Sequence, residues 1–413
     1  MLLRFAIENF RSIRDRQELS FLATPLNERS GIEVDVRPST TTSVLPAIGI
    51  YGANASGKSN ILGALAEMAQ RAISPPRREH VPRPDPFLLD PNGPRVPTVF
   101  EVEFLLEGVR YAYGLAEDND GVSSEWLHAF PLGRRQVWFE RNASTPDPFR
   151  FPGDYLRGSK ALLADLVRPD APFLSIGTSL RHPQLSPVAH WPNGIKSTRS
   201  ATKLPPPRIE SRRLSRFFQG QYAVWANELV RRADLGIIGT EFVELTDDPI
   251  RELQFRHTGK AGGTLLPLLS ESDGTLSWAR TLQVLLPVLA TGGVAVIDEL
   301  DASLHPELAG EVIRMFQDPE VNRLRAQLLF ACHDVTMLGA NFGTPLLDRD
   351  QIWFTEKNQS GATELYPLAE LGPRKGENLE RGYLAGRYGA TPGLSPGELG
   401  RALRTLTPDE PPQ

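Results

Sequence analysis

The hydrophobic pattern at the start of the chain predicts a short antiparallel unit, then a strand, a loop and a helix. Leu3, Phe5 and Ile7 alternate with polar or small residues, which is typical of a half-buried strand, and a second short strand is predicted soon after it. Residues 23–43 lack such alternation, so we expect a loop there. The apolar run 44–51 predicts a buried strand. It leads through glycine-rich residues into a helical pattern formed by Ile61, Leu62, Leu65 and Met68.

Proline separates this unit from the next. Eight prolines lie between residues 74 and 97, a density that excludes a helix or an interior strand, so a connector is predicted. Alternation of apolar and polar residues returns in 98–140, where 118–121 has the composition of a tight turn. We predict an antiparallel meander in that segment.

The rest of the chain predicts helices first and then strands mixed with helices. Residues 155–235 have a helical pattern, but 196–216 carries seven basic residues and one acidic residue, a net charge of +6 (7 − 1). We expect a flexible basic loop there. Further strands are predicted at 236–269, 294–297 and 327–331, helices at 276–289 and 307–316, and a hairpin at 351–366. The predicted units are 1–154, 155–235 and 236–413.

Composition limits the class of protein. Hydrophobic residues make up 40% and charged residues 23% of the 413 residues, which is ordinary for a globular protein. The net charge of −5 argues against a surface built as a whole for nucleic acid. Cys332 is the only cysteine, which excludes an internal disulfide and suits a reducing compartment. Because the charged N-terminus does not resemble a signal peptide and no long apolar stretch occurs, we expect a cytoplasmic protein with no membrane partner.

Residues 52–59 read GANASGKS and match the pattern G-x-x-x-x-G-K-[ST]. The glycines let backbone N–H groups curl around a phosphate at the positive N-terminus of the next helix. Lys58 is expected to reach the β- and γ-phosphates of ATP, and the hydroxyl of Ser59 is expected to bind Mg²⁺. The predicted ATP contacts of this segment are Gly52, Asn54, Ala55, Ser56, Gly57, Lys58, Ser59 and Asn60.

The apolar strand 294–297 ends in two adjacent carboxylates, Asp298 and Glu299. A buried strand has no need of carboxylates, and adjacent ones repel each other unless a cation or a water molecule uses them. With a phosphate-binding loop in the same chain, Asp298 is expected to bind Mg²⁺. Glu299 is expected to be the catalytic base that activates the attacking water.

Ser272, Gly274 and Thr275 lie just before a predicted helix, upstream of these carboxylates. One interpretation makes Ser272 an ordinary N-cap. The other makes this segment a loop that offers a hydroxyl, a backbone N–H and a helix dipole to the γ-phosphate held by a neighbouring subunit. The order of the segments favours the second interpretation.

Asp301 and His333 are the remaining candidates for the same site. Asp301 follows Glu299 by two residues, and His333 follows the predicted strand 327–331. A lone histidine is usually structural, and the catalytic role expected for His333 rests on a family resemblance.

The order of these motifs resembles an ABC-type ATPase of the SMC, RecF and OLD clan. The resemblance implies an α/β fold, with a mixed sheet core, an antiparallel β subdomain and an inserted helical subdomain. It makes 272–275 the signature loop, 301–306 the D-loop and His333 the switch histidine. It also carries Arg11 and Ser12 over as nucleotide contacts, since 9–12 is similar to the opening of the clan. No glutamine is assigned to the Q-loop.

A narrower resemblance covers nearly the whole chain and is weakest in 183–215. The segments that carry it are 271–275, 297–306, 349–354 and 382–392. They are similar to stand-alone bacterial ATPases of abortive-infection and phage-defence systems, which are called AAA-family ATP-binding proteins. This implies a homodimer with shared ATP sites and a separate effector such as a nuclease. The 58 residues after Thr355 (413 − 355) are too few for a fused nuclease domain.

Two other functions stay open at this point. A DNA-repair ATPase similar to RecF would bind DNA directly, and 196–216 is then a candidate contact for nucleic acid, although a basic run is more often a solvated loop. A transport ATPase would need a membrane partner.

Overall fold

The computed structural model describes residues 1–25, 31–73, 85–198, 207–233, 236–245, 248–259, 263–339, 343–393 and 397–406. The strands of these residues are β1 (Leu2–Glu8), β2 (Gln17–Ser20), β3 (Ile32–Val36), β4 (Thr40–Val44), β5 (Ala47–Tyr51), β6 (Thr98–Leu106), β7 (Val109–Asp118), β8 (Gly121–Phe130), β9 (Gln136–Asn142), β10 (Phe149–Arg150), β11 (Ile195–Ser197), β12 (Ile237–Leu245), β13 (Asp248–His257), β14 (Thr264–Pro267), β15 (Val294–Ile297), β16 (Gln327–Ala331), β17 (Ile352–Lys357) and β18 (Thr363–Pro367). The helices are α1 (Lys58–Ile73), α2 (Lys160–Asp165), α3 (Phe173–Ser179), α4 (Leu185–His190), α5 (Pro207–Phe218), α6 (Ala223–Ala233), α7 (Asp273–Thr291), α8 (Pro306–Gln317), α9 (Leu379–Leu384) and α10 (Glu398–Leu406).

A six-stranded sheet lies at the centre of the fold, in the order β11-β15-β16-β5-β17-β18. Its strands pair in parallel except β18, which is antiparallel to β17. Ile48 and Ile50 of β5 face one hydrophobic core, and Ala47 and Tyr51 face a second core on the other side. A parallel sheet covered on both faces has this burial pattern. Because parallel strands end at one edge, the loops after β5, β15 and β16 meet there.

The first core is closed by a seven-stranded antiparallel sheet in the order β10-β9-β8-β7-β6-β1-β2. Phe5, Phe100 and Leu115 of this sheet are buried in the same core as Ile61 and Leu65 of α1. The predicted meander in 98–140 is confirmed by strands β6 to β9, which pair in sequence order. The sheet therefore supports the helix that follows the glycine-rich loop.

The second core lies on the opposite face of the central sheet. Leu282 of α7 and Phe316 of α8 are buried there, beside the small sheet β12-β13-β14. Helices of the predicted unit 155–235 contribute to both cores, since Phe173 of α3 lies in the first and Phe218 of α5 in the second. The three unit boundaries stay a prediction.

The predictions of loops at 23–43 and 196–216 are both wrong in part. In 23–43, β3 and β4 form an antiparallel hairpin in which Val34 is buried. Their exposed threonines hide the alternation that marks a strand. In 196–216, β11 pairs in parallel with β15 at one end, and α5 occupies the other. Pro207 begins α5 because proline is tolerated in the first turn of a helix.

Part of each prediction lies outside the described residues, namely 26–30 and 199–206. The same holds for 74–84 of the predicted connector, whose described part, 85–97, contains a single turn of 3-10 helix at Gly93–Arg95. Within the described ranges, no helix has both the length and the apolar character that a membrane crossing requires.

Candidate active site

The glycine-rich loop connects the end of β5 to the first residue of α1 and curls tightly between them. Gly52 and Gly57 have φ angles of 155° and 115°, and Ala55 between them has a φ of 62°. A Cβ atom on Gly57 would lie 2.1 Å from Oγ1 of Thr363, so that position requires glycine. Asn54 and Ala55 are exposed at the tip of the loop. The loop thus has the shape in which backbone N–H groups can surround an anion.

Lys58 is buried, and its ammonium group lies inside this loop. Its Nζ donates to the carbonyl oxygens of Gly52 at 2.8 Å and Ala53 at 3.1 Å, and it lies 3.4 Å from Nδ1 of His333. Burial lowers the pKa of Lys58. The negative charge of nearby Asp298 raises this pKa and offsets part of the decrease. Among the described residues, the hydrogen-bond partners of this buried cation are two carbonyl oxygens and an imidazole nitrogen, an arrangement that fits an anionic phosphate.

Ser59 and Asp298 meet at the same sheet edge. The Ser59 hydroxyl donates to Oδ1 of Asp298 at 3.0 Å, although Ser59 lies in the first turn of α1 and Asp298 directly follows β15. Burial raises the pKa of Asp298, the Ser59 hydrogen bond lowers it, and neighbouring Glu299 raises it again. A hydroxyl and a carboxylate side by side are the oxygen ligands that Mg²⁺ prefers, so the pair fits this ion.

Glu299 has an unusual backbone conformation for its residue type. Its φ of 54° lies in the left-handed region, and the Leu300 N–H donates to the Ala331 carbonyl at 2.9 Å, which ties this turn to the end of β16. Among the described residues, its half-buried carboxylate has no hydrogen-bond partner. Such a strained residue with an available carboxylate is a common feature of active sites.

His333 and Asp301 join the loops after β15 and β16. The backbone N–H of His333 is shared between the two carboxylate oxygens of Asp301, at 3.2 Å and 3.1 Å. This places the imidazole beside Lys58. The structure therefore brings together Lys58, Ser59, Asp298 and His333, as the motif order predicts.

Ser12 and Asn60 lie beside the glycine-rich loop, and Arg11, in the turn after β1, contacts α1 at Glu67. The Asn60 side chain donates to the Ser12 hydroxyl at 2.6 Å. The Arg11 guanidinium pairs with Asp85 at 3.2 Å and with Glu67 at 3.4 Å, so both of its described ion pairs are with carboxylates of this chain.

Two threonines of the hairpin β17–β18 support the glycine-rich loop, and the sequence analysis did not predict them. Oγ1 of Thr363 donates to the Ser56 carbonyl at 2.9 Å and lies 2.8 Å from the Ser12 hydroxyl. Oγ1 of Thr355 lies 2.7 Å from the Ser56 hydroxyl. No sequence motif marks these threonines. Only the pairing of β17 with β5 could have pointed to them.

None of the described hydrogen bonds or ion pairs joins the signature loop to this cluster. Ser272 is the N-cap of α7, accepting a hydrogen bond from the Thr275 N–H at 3.1 Å, and its role toward a partner's phosphate stays a prediction. A Cβ atom on Gly274 would lie 2.9 Å from the Ser303 carbonyl, and the Ser277 hydroxyl donates to the Ala302 carbonyl at 3.0 Å. The start of α7 therefore packs against the D-loop of its own chain.

Comparison with protein families identifies the chain. The sequence model of the family described as "AAA domain, putative AbiEii toxin, Type IV TA system" matches residues 48–338, more than two thirds of the chain. The chain belongs to this family. The match includes the glycine-rich loop, Asp298, Glu299 and His333, so the candidate site lies within the AAA domain of this family. The predicted fold class and the predicted kinship with abortive-infection proteins are both confirmed.

Three solved structures are also similar to this chain. The SMC head domain from Thermotoga maritima is 15% identical, with 89% of this chain and 98% of that chain covered and a TM-score of 0.40. An SMC head bound to the C-terminal winged-helix domain of ScpA is 16% identical (88% and 96% covered, TM-score 0.45). An SMC head with an extended coiled coil, bound to the C-terminal domain of ScpA derived from Pyrococcus furiosus, is 14% identical (93% and 98% covered, TM-score 0.42). No curated protein matches the chain.

Proposed function

We propose that this protein binds ATP together with Mg²⁺ and hydrolyses it. The observation that carries the proposal is the convergence of Lys58, Ser59, Asp298 and His333 at one edge of the central sheet, beside the glycine-rich loop. Each of these groups has a defined use in phosphoryl transfer to water, and Glu299 adds a carboxylate at the same edge.

We assign a task to each group on the basis of these contacts. The loop N–H groups and Lys58 hold the β- and γ-phosphates, and His333 lies close enough to Lys58 to contact the same γ-phosphate. Ser59 and Asp298 would hold Mg²⁺, which neutralises phosphate charge when it is bound. Glu299 orients the attacking water and accepts its proton.

We further propose that each active site is completed by the signature loop of a second copy. Ser272 is exposed and its hydroxyl is engaged within its own first helical turn, while the contacts of Gly274 and Ser277 are with the D-loop of the same chain. A helix N-terminus of this kind can bind a phosphate presented by a partner subunit. Asp301 then links the D-loop of one copy to His333 of the same copy.

The proposed biological role is abortive infection, with the ATPase controlling a separate effector such as a nuclease. The family description, which refers to an AbiEii toxin and a type IV toxin–antitoxin system, supports this role. Affinity purification with and without ATP is the direct test. We expect an effector protein to copurify in a nucleotide-dependent way, and recovery of no protein under either condition would contradict the role.

ATP binding by Lys58→Ala tests the proposed activity. We expect ATP affinity to fall at least about tenfold, because the buried cation that faces the phosphates is lost. Lys375→Ala is the matched control, because Lys375 is exposed and follows β18 in the chain. Equal ATP binding by wild type and Lys58→Ala, measured by equilibrium fluorescence, would overturn the proposal.

A further inference from the structure

Helix α5 has two faces of opposite character. Leu214 and Phe218 are buried in the second core, and Glu210 on the same side pairs with Arg280 of α7. The opposite face is exposed and basic, and its members include Arg213 and Arg216. The only acidic residue of the helix therefore faces inward, and the charge presented to solvent is entirely positive.

An aromatic strip continues this basic face into the start of α6. The ring centroids of Phe217 and Tyr222 are 6.1 Å apart, and those of Tyr222 and Trp225 are 6.2 Å apart, with the last two rings within 27° of parallel. Trp225 is 55% exposed, which leaves much of the indole open to solvent. Phe217 follows Arg213 by one helical turn, so the basic and aromatic groups are neighbours.

The positive charge of this face is not neutralised by the described part of the chain. Arg208, Arg213 and Arg216 form no ion pair with any described residue. Exposed arginines nearby behave differently, since Arg231 and Arg232 both pair with Glu228. The face is therefore a local patch of positive charge on a chain whose net charge is −5.

We propose that this basic–aromatic face (Arg208, Arg213, Arg216, Phe217, Tyr222 and Trp225) binds single-stranded nucleic acid. Arginines along a helix can follow a phosphate backbone, and exposed rings can stack on unpaired bases. A base pair within a duplex has no free face for such stacking, which favours single strands. The proposal goes beyond ATP hydrolysis and does not depend on it. The inward side of α5 reaches α7, whose N-terminus is the signature loop, through the pair of Glu210 with Arg280.

The test uses the full chain without nucleotide, so its outcome is independent of the ATP site. Fluorescence anisotropy would measure binding of labelled single-stranded poly-dT and poly-U and of a duplex of equal length. Arg213→Glu/Arg216→Glu is compared with Arg134→Glu/Arg135→Glu, an equal charge change on exposed residues of the loop between β8 and β9. Trp225→Ala is compared with Trp225→Phe, which keeps a ring. Thermal melting verifies that each variant is folded.

We expect salt-sensitive binding of single strands that the 213/216 variant weakens at least about tenfold and the 134/135 variant weakens by no more than about twofold. Trp225→Ala should weaken binding about tenfold, and Trp225→Phe should restore most of it. The preference between poly-dT and poly-U identifies DNA or RNA as the source of the strand. Preference for the duplex, equal loss in both arginine variants, or no binding at low salt overturns the proposal. If the 213/216 variant instead changes self-association in sedimentation without any oligonucleotide binding, the face is a protein interface and the proposal is wrong.

Discussion

The glycine-rich loop and the signature loop both precede a helix, but their surroundings differ. The first is held by contacts from distant parts of the chain, since Ser59 meets Asp298, Lys58 meets His333, and Thr363 reaches Ser56. The second is capped by its own Ser272, and Ser277 in the next turn donates to the Ala302 carbonyl of the adjacent D-loop. One half of the proposed site is thus assembled within a single chain. None of the described hydrogen bonds or ion pairs joins the signature loop to that half. This difference agrees with our proposal that a second copy completes each active site.

The largest expected effect tests the assembled half. Glu299→Gln should lower ATP turnover about 100-fold or more while ATP binding stays near wild type, because the residue acts on the attacking water and not on the nucleotide. Steady-state phosphate release and equilibrium ATP binding measure the two quantities. Glu307→Gln, an exposed residue in the first turn of α8, is the matched control and should keep wild-type turnover. Normal turnover by Glu299→Gln would remove Glu299 from the mechanism.

A mixing experiment tests whether the glycine-rich loop and the signature loop act across two subunits. Lys58→Ala damages the assembled half and Ser272→Arg blocks the signature half, so each variant alone should be nearly inactive. Mixed in equal amounts, they should regain about a quarter of wild-type activity, because half of the dimers are mixed and each mixed dimer has one intact site. ATP hydrolysis by the whole mixture measures this, and mixed dimers isolated through two different tags should have about half of wild-type activity. If isolated mixed dimers are inactive, or if a verified monomer hydrolyses ATP normally, the two halves do not act across subunits.

A smaller effect is expected where the hairpin β17–β18 supports the glycine-rich loop. Thr363→Val removes the hydrogen bond to the Ser56 carbonyl and should weaken ATP binding about tenfold, because the loop is no longer fixed in its curled shape. Thr363→Ser keeps the hydroxyl and should bind ATP nearly as well as wild type. Isothermal titration of ATP with both variants is the measurement. Equal weakening by valine and serine would show that the threonine methyl group, and not its hydroxyl, supports the loop.

The smallest effect concerns pH. Burial lowers the pKa of Lys58 below its ordinary value of 10.5, so the free protein loses this charge at a lower pH than an exposed lysine does. The affinity for Mg²⁺-free ATP should therefore be full near neutral pH and should fall as the pH rises, beginning below 10.5. The slope should vanish in Lys58→Ala. A wild-type affinity that stays constant up to pH 10.5 would contradict the burial of an ionisable ammonium in this loop.

The sequence alone was sufficient to identify the motifs whose residues are neighbours along the chain. GANASGKS between a strand and a helix, and two carboxylates at the end of an apolar strand, depend on local periodicity and on turn-forming glycines. The positions of β5, α1 and β15 follow from those patterns. The unit boundaries and the roles of Ser272, Gly274 and Thr275 toward a partner's phosphate stay predictions.

Only the tertiary structure decided which distant groups support those motifs. Thr198, just after β11, accepts a hydrogen bond from the Asp298 N–H at 3.0 Å, although sequence reasoning expected a basic loop there. Thr363 reaches Ser56 across 307 positions of the chain. Local patterns report which face of an element is buried, but not which strands become neighbours. That choice depends on the packing of both faces of the central sheet into two cores, which involves residues from every part of the chain.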